Sequence, residues 1–337
     1  MNLKQSNDLM LPAIEDELKR SVDINSGDGL DELQSMLRYH MGWEGEGAGR
    51  EAQGKRVRPI LLLITTTTVD FDWRKALPAA AAVELVHNFS LIHDDIQDQS
   101  EQRRGRDTVW TKWGIAQAIN AGDSLFALAH ISMQHLGEHI SIERKVRASN
   151  ILRRACLTLT QGQFLDLDYE ARGDLDMKSY WPMITGKTAS LLSACTEIGA
   201  LISGEDDEIV HQFRRFGELV GLAFQVHDDY LGIWGDEAIT GKSSASDLLT
   251  GKKSLPILFG LEQKAKFANR WNNGRIEANL VPELMKMLEN EGAREYTIEK
   301  VKELSDLALD ELEKIDPKGE GKGAMIELTS LLAKREG

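Results

Sequence analysis

Three aspartates crowd into the segment Asp94-Asp95-x-x-Asp98, and a second acidic pair, Asp228-Asp229, stands much further along the chain. On a helix Asp94 and Asp98 lie one turn apart on a single face, with Asp95 beside them. Carboxylates this close repel one another unless a cation sits between them. Mg2+ suits the place: it takes oxygen ligands, few of them from protein, and fills its shell with water and phosphate. A lone cluster of this kind is more often a solvated acidic patch than a site. The second pair changes the balance. In Phe224-Gln225-Val226-His227-Asp228-Asp229-Tyr230-Leu231-Gly232 the acids emerge from the apolar run 219–224, where they are costly unless a ligand neutralises them. Asp236 could share the Asp228 face if the helix persisted through Gly232 and Gly235, which weaken it.

Basic residues alternate with the acids along the chain. Gly54-Lys55-Arg56-Val57-Arg58-Pro59 sets three cations between a glycine and a proline, and Arg103-Arg104-Gly105 follows the first acidic cluster. Lys187-Thr188 begins another helical block, while Lys242 and Lys252-Lys253 follow the second acidic pair. Each cluster by itself reads as solvated surface. Together, acids for metal and Lys/Arg for phosphate oxygens are what a pocket for two diphosphates needs.

The elements that must position these residues are helices. Apolar residues recur at three- and four-residue intervals, only 7 prolines interrupt 337 residues, and no alternating strand pattern with Asn-Gly or Asp-Gly turns is found. Pro78 opens a helix that carries Val83, Leu85, Val86, Phe89 and Ile92 into the first acidic cluster. Further helices are predicted over 120–139, 143–168, 177–203, 206–234, 255–264, 281–291 and 297–314, with loops at 45–54, 173–176 and 316–323. No interdomain linker or short-period repeat interrupts them, so a single all-α domain is expected: 1–50 N-terminal helices and loop, 51–260 the motif-bearing core, 261–337 C-terminal helices.

Composition narrows the function class. With 40 Lys and Arg against 54 Asp and Glu, the net charge of −14 argues against a general nucleic-acid binder. It leaves room for a phosphorylated small substrate, because a local cationic cluster overrules the global sign. Cys156 and Cys195 are the only cysteines and lack metal-site spacing. The first 22 residues have no signal-peptide core, and no apolar run reaches membrane-spanning length, so a cytoplasmic protein is expected.

The ordered motifs GKRVRP, HDDIQD with RRG, GQFLDLD, GKT, FQVHDDYLG, TGK and GKKSLP together resemble the trans-isoprenyl diphosphate synthases, most of all the short-chain, geranylgeranyl type. The resemblance implies the isoprenoid synthase fold, one large bundle of roughly ten or more helices around a central active-site cavity. It also implies Mg2+, about three ions once diphosphate is bound, held by Asp94, Asp95, Asp98, Asp228 and Asp229. Arg103, Lys187, Lys242 and Lys252 then serve the allylic diphosphate, with Gln225 as a polar neighbour. Lys55, Arg58, His87 and Arg104 match the grip on isopentenyl diphosphate; Thr188 and Gln163 fall in segments that close over the reacting carbons, and Asp166 also matches. Asp94, Asp95, Lys187, Asp228 and Lys242 are the residues expected to carry the catalysis. The implied reaction is condensation of isopentenyl diphosphate with dimethylallyl, geranyl or farnesyl diphosphate, in a protein that is typically a homodimer. The apolar block 120–139 could supply that interface. No side-chain base is nominated: His93 and His227 each precede an acidic pair and could simply orient it.

Two departures leave alternatives. Family members commonly carry a third aspartate where this chain has Gly232. Asp228-Asp229-x-x-Gly232-x-x-x-Asp236 loosely resembles a metal motif of class I terpene cyclases, which use one diphosphate. GKRVRP and Arg104 supply a second diphosphate site, which favours condensation. A non-catalytic partner subunit is the remaining alternative, disfavoured because five of six usual aspartates are present. Product length is expected to depend on Phe89 and Ser90. Phe89 lies five residues before Asp94, roughly 7–8 Å along a helix axis. An aromatic there resembles C20 synthases, with farnesyl diphosphate the competing product.

Overall fold

The computed structural model describes residues 1–23, 28–235, 245–274 and 276–334, and nearly every apolar-periodic stretch among them is helical. Among the described residues sheet is confined to one hairpin of two-residue strands, β1 (Gln102–Arg103) paired antiparallel with β2 (Arg106–Asp107), too short to show an alternating pattern in sequence. The chain forms two compact units. The first comprises Met1–Arg153, Cys195–Val210 and Pro317–Met325; the second comprises Arg154–Ala194, His211–Asp316 and Ile326–Gly337.

In the first unit α1 (Leu3–Val22) begins on a capping box, in which Asn2 and Gln5 exchange side-chain and backbone hydrogen bonds. It is followed by α2 (Asp31–His40), the short α3 (Arg50–Gln53) within the segment 45–54, and α4 (Val57–Thr66). The central element is α5 (Leu77–Gln97), whose first turn holds Pro78. Ala79, Ala80, Ala81 and Ala82 are fully buried. Small side chains on every face let α1, α4 and α7 (Ile115–Gln134) pack closely around it. Between α5 and α7 lie the hairpin and α6 (Val109–Trp113). The helix predicted over 120–139 therefore starts earlier and stops earlier, because α7 is capped at Gly114 and ends at His135.

The second unit takes residues from α8 (Ile142–Glu170), then α9 (Met177–Ile184), a π-helical turn (Thr185–Ala189), α10 (Ser190–Ser203) and α11 (Asp207–Trp234). Beyond these come α12 (Ser246–Thr250), α13 (Leu255–Glu262), α14 (Lys266–Trp271), α15 (Val281–Asn290), α16 (Ala293–Ile315) and α17 (Gly321–Lys334). Ile233, Leu248, Ile257, Phe267, Leu284 and Leu288 form the apolar core at its C-terminal side. Each is essentially removed from water, worth about 2 kcal/mol apiece by area burial. Among the described residues no helix is long and apolar enough to cross a membrane.

Candidate functional site

The first unit collects the residues of GKRVRP and RRG. Arg56 has a left-handed backbone, φ +49°, and turns its guanidinium inward to Glu15 (Nε to Oε1 2.6 Å) and Glu84 (Nη1 to Oε1 2.9 Å). With 3% of its surface exposed, Arg56 is a structural cation. Lys55 on one side is exposed. Arg58 on the other has a buried Nε without a protein partner, and burial lowers its pKa. The Arg104 guanidinium donates to the Ala52 carbonyl at 2.8 Å and lies against Gly54. A Cβ on Gly54 would meet the Arg104 Cζ at 2.5 Å and displace that guanidinium, and at φ +81° the backbone itself favours glycine. Burial brings Arg104 down to about 10, with Arg56 and Arg103 adding like-charge repulsion against the attraction of Glu84. His87 is held neutral, first by burial and then by Arg58, Arg104, Arg103 and Arg56. A group of cations with fewer acids than bases is suited to receive an anion. Lys55, Arg58, His87 and Arg104 thus all belong to the first unit, with three of them in one electrostatic neighbourhood.

The end of α5 carries the first acidic cluster. Asp98 is exposed, Asp94 half-buried and Asp95 buried, with 2% of its surface accessible. Both Asp95 oxygens accept from Arg103 Nε, at 2.8 and 3.0 Å, and Nη2 adds a contact at 2.8 Å. Burial raises the Asp95 pKa while Arg103 pulls it back. Upstream, the Phe89 ring packs on Phe126 (centroids 4.9 Å) and edge-on to His93 (4.8 Å), and Phe126 meets His130 at 4.7 Å. Phe89 and Ser90 are 9% and 8% exposed, and the Ser90 hydroxyl donates to the His87 carbonyl at 2.8 Å. His93 Nε2 stands 3.6 Å from the Asp123 carboxylate, which suits an orienting contact better than a base.

In the second unit the second acidic pair is held from several sides. Asp229, 2% exposed, accepts at Oδ2 from the buried Tyr180 hydroxyl (2.7 Å) and the Leu255 N–H (2.9 Å), and at Oδ1 from Gln225 Nε2 (2.8 Å). Gln225 in turn accepts from the Thr188 hydroxyl at 2.5 Å. Burial raises Asp229 to about 6, against the pull of Lys252. Burial would discharge Lys252, but Asp247, Asp229, Asp166 and Asp228 more than offset it and keep the ammonium charged. Lys187 is paired with Asp166 of the GQFLDLD segment. Lys187 and Thr188 sit in the π turn, brought against α8 at Gly162, where any side chain would run into the Lys187 backbone N. Gly221 of α11 admits Ala189 in the same way, its Cβ position being 2.6 Å from the Ala189 Cα.

Asp228 is half-buried and stands beside this network. The space ahead of Gly232, one turn on, is taken by the Asp247 carboxylate: a Cβ there would meet Asp247 Oδ2 at 2.5 Å. Lys242 and Asp236 lie outside the described residues. Tyr180 and Asp247 were not picked out by the sequence patterns. Neither belongs to a charged cluster, and nothing in the spacing of either couples it to Asp229.

Among the described residues no three Asp, Glu, His or Cys groups converge as a ready-made metal cage. That donor set still fits Mg2+, which is commonly held by one or two carboxylates and otherwise by water and substrate phosphate. Of the expected ligands, Asp95 and Asp229 have their oxygens engaged by Arg103 and by Tyr180, Gln225 and Leu255. Asp94, Asp98 and Asp228 are the more accessible carboxylates.

Known proteins share this sequence and architecture. The model of the polyprenyl synthetase family matches residues 49–288. A geranylgeranyl diphosphate synthase from Methanosarcina mazei is 38% identical over 259 residues, 77% of this chain and 79% of that protein. A (2E,6E)-farnesyl diphosphate synthase from Mycobacterium tuberculosis is 40% identical over 229 residues, 67% of this chain and 62% of that protein. The crystal structure of a geranylgeranyl pyrophosphate synthetase from Pyrococcus horikoshii is similar at a TM-score of 0.87 and 31% identity, covering 99% of this chain and 98% of that one.

Proposed function

The chain belongs to the polyprenyl synthetase family, and from that premise we propose that it condenses isopentenyl diphosphate with an allylic diphosphate, stopping at the C20 geranylgeranyl diphosphate. It is an isoprenyl diphosphate synthase. The observation that carries the condensation reading is the pair of guanidiniums Arg58 and Arg104 around the neutral His87, apart in sequence from the lysines that accompany the second acidic pair. An enzyme acting on one diphosphate has no use for it.

In this reading Asp94, Asp98 and Asp228 hold Mg2+, while Asp95 and Asp229 act one step back, fixing Arg103 on one side and joining Tyr180, Gln225 and Lys252 on the other. Bound Mg2+ supplies neutralisation of the charge that develops on the leaving diphosphate. Arg103, Lys187 and Lys252 are assigned to the allylic diphosphate by their motifs and would add fixed positive charge as it leaves, so that the allylic carbon–oxygen bond breaks to give a delocalised cation. Lys242 is assigned with them by its motif. Lys55, Arg58, His87 and Arg104 hold isopentenyl diphosphate so that its double bond attacks that cation, proximity supplying much of the rate. The proton then lost passes to the departing diphosphate. Gln163, Thr188 and Asp166 line or brace the lysine side of the reaction.

The deciding experiment incubates the purified chain with isopentenyl diphosphate and each allylic primer in turn, with Mg2+ and with a chelator. We expect C20 diphosphate with metal and none without it. Hydrocarbon formed from geranylgeranyl diphosphate alone, with no elongation, would instead identify a cyclase; absence of any turnover by the isolated chain would leave a partner subunit. A product ending at C15 would favour the farnesyl reading that the mycobacterial relative suggests.

A further inference from the structure

The segment Tyr39-His40-Met41-Gly42-Trp43 has no place in the machinery above, yet it is built into the cationic neighbourhood of the first unit. Arg106, at the end of the hairpin that carries Arg103 and Arg104, donates to three backbone carbonyls: from Nη1 to Tyr39 at 2.7 Å, from Nη2 to Glu44 at 2.6 Å and from Nε to Glu46 at 2.9 Å. Its guanidinium also covers the Tyr39 ring at 4.0 Å, while the Tyr39 hydroxyl donates to the Asp107 carbonyl at 2.9 Å. On the other side of His40, Arg56 Nη2 donates to the Met41 carbonyl at 3.3 Å. Trp43 Nε1 donates at 2.8 Å to Glu15, the carboxylate that also holds Arg56. Gly42, at φ +81°, lets the strap pass against Ala52, a Cβ there meeting the Ala52 carbonyl carbon at 2.7 Å. His40 is therefore pinned through the carbonyls on both sides, by Arg106 just beyond the RRG motif and by Arg56 of GKRVRP.

What its side chain does is left open by the protein. His40 Nε2 is buried and has no hydrogen-bond partner among the described residues. A buried polar atom left so is a cost unless a ligand completes it. Burial, followed by Arg103, Arg104, Arg56 and Arg106, keeps the imidazole neutral. Three of those arginines, Arg56, Arg103 and Arg104, are the same ones that act on His87. The two imidazoles thus share one cationic neighbourhood, reached from α2 and from α5.

We propose that His40 is a further binding residue for the second diphosphate, donating from Nε2 to a phosphate oxygen beside Arg104 and His87. This rests on the condensation reading for the identity of the ligand, and on the unpartnered Nε2 in a strap held by Arg56 and Arg106 for its taking an anion. A neutral donor suits the place. It adds a hydrogen bond to an already crowded set of cations without adding another charge.

The test uses His40→Ala, His40→Gln and His40→Leu in the full chain, each checked for an unchanged unfolding midpoint. Affinity for inorganic diphosphate is read by calorimetry, and KM for isopentenyl and allylic diphosphates by turnover. Loss of a hydrogen bond to a charged group predicts weaker diphosphate binding and a higher isopentenyl KM in His40→Ala, by about tenfold or more. The allylic KM should stay within about twofold, the signature of one binding contact removed. His40→Gln, whose amide N–H reaches a similar point, should recover most of the loss and His40→Leu none. Unchanged binding in His40→Ala, an equal rise in both KM values, or Leu performing as well as Gln would overturn the proposal. If the wild type elongates nothing, the condensation reading fails, while the calorimetric comparison still decides whether His40 binds the anion.

Discussion

Asp94, Asp98, Asp228, Arg104 and Lys252 announce themselves because clustered charge is expensive without a function. Tyr180 does not, since a tyrosine in an apolar stretch looks like core until its hydroxyl is found 2.7 Å from Asp229. The same holds for Asp247, which fills the space where Gly232 has no side chain. Phe89 is the residue whose role the sequence suggested and whose surroundings now define a sharper prediction. Its ring is enclosed by Phe126 and His93 on the face of α5 upstream of the acids. As plain core, Phe89→Ala would cost roughly 3–5 kcal/mol and leave the product unchanged. As the floor beneath a growing tail, the vacated space would be filled by extra isoprene units. We expect Phe89→Ala to give products longer than C20, read by chromatography of the dephosphorylated alcohols. A C20 product with a lowered unfolding midpoint would return Phe89 to the core.

Among the elements, helices were read correctly wherever the apolar period ran without interruption, as in α11 and α16. The exception is instructive. The stretch 177–203 reads as one helix, yet it is α9, a π turn and α10. One wide turn shifts the apolar face by only part of a residue spacing, so the pattern in sequence scarcely records it. Pro182 lies just ahead of the π turn and cannot donate a backbone hydrogen bond within the preceding turn. Such bulges recur at functional sites, and this one carries Lys187 and Thr188. Its seat is the contact between Gly162 and Gly186, where the Gly162 nitrogen lies 2.9 Å from the position a Gly186 Cβ would occupy. Gly162→Ala should therefore force α8 and the π turn apart, costing about 3 kcal/mol or more because backbone rather than a flexible side chain stands in the way. We expect a lower thermal midpoint together with loss of turnover, although residue 162 touches no substrate in the proposed arrangement. Turnover at the wild-type level would show that the lysine does not depend on this seat.

For the whole molecule, the net charge of −14 and a site for anionic substrates are compatible because screening confines fields to about 10 Å at ordinary ionic strength. Around His40 and His87 the charges that act are those of arginines. Assembly is the property least legible in sequence, since an apolar helix face can be buried within one chain or between two. The apolar block at 120–139 spends one face of α7 on α5, with Ala121, Leu125, Ala129 and Met133 buried. Another part of α7 is not covered: Ile115 and Ile119, one turn apart, are 54% and 42% exposed. Apolar residues so placed on a helix already packed on one side are suited to a second copy of the same surface across a two-fold axis. We propose a homodimer that uses this part of α7. Light scattering should then give twice the 37.6 kDa of the chain, and Ile119→Asp, which places a charge in the contact, should return the single-chain mass with the helix content intact. Wild-type protein that scatters as a single chain at micromolar concentration, or an Ile119→Asp variant that still pairs, would remove α7 from the assembly.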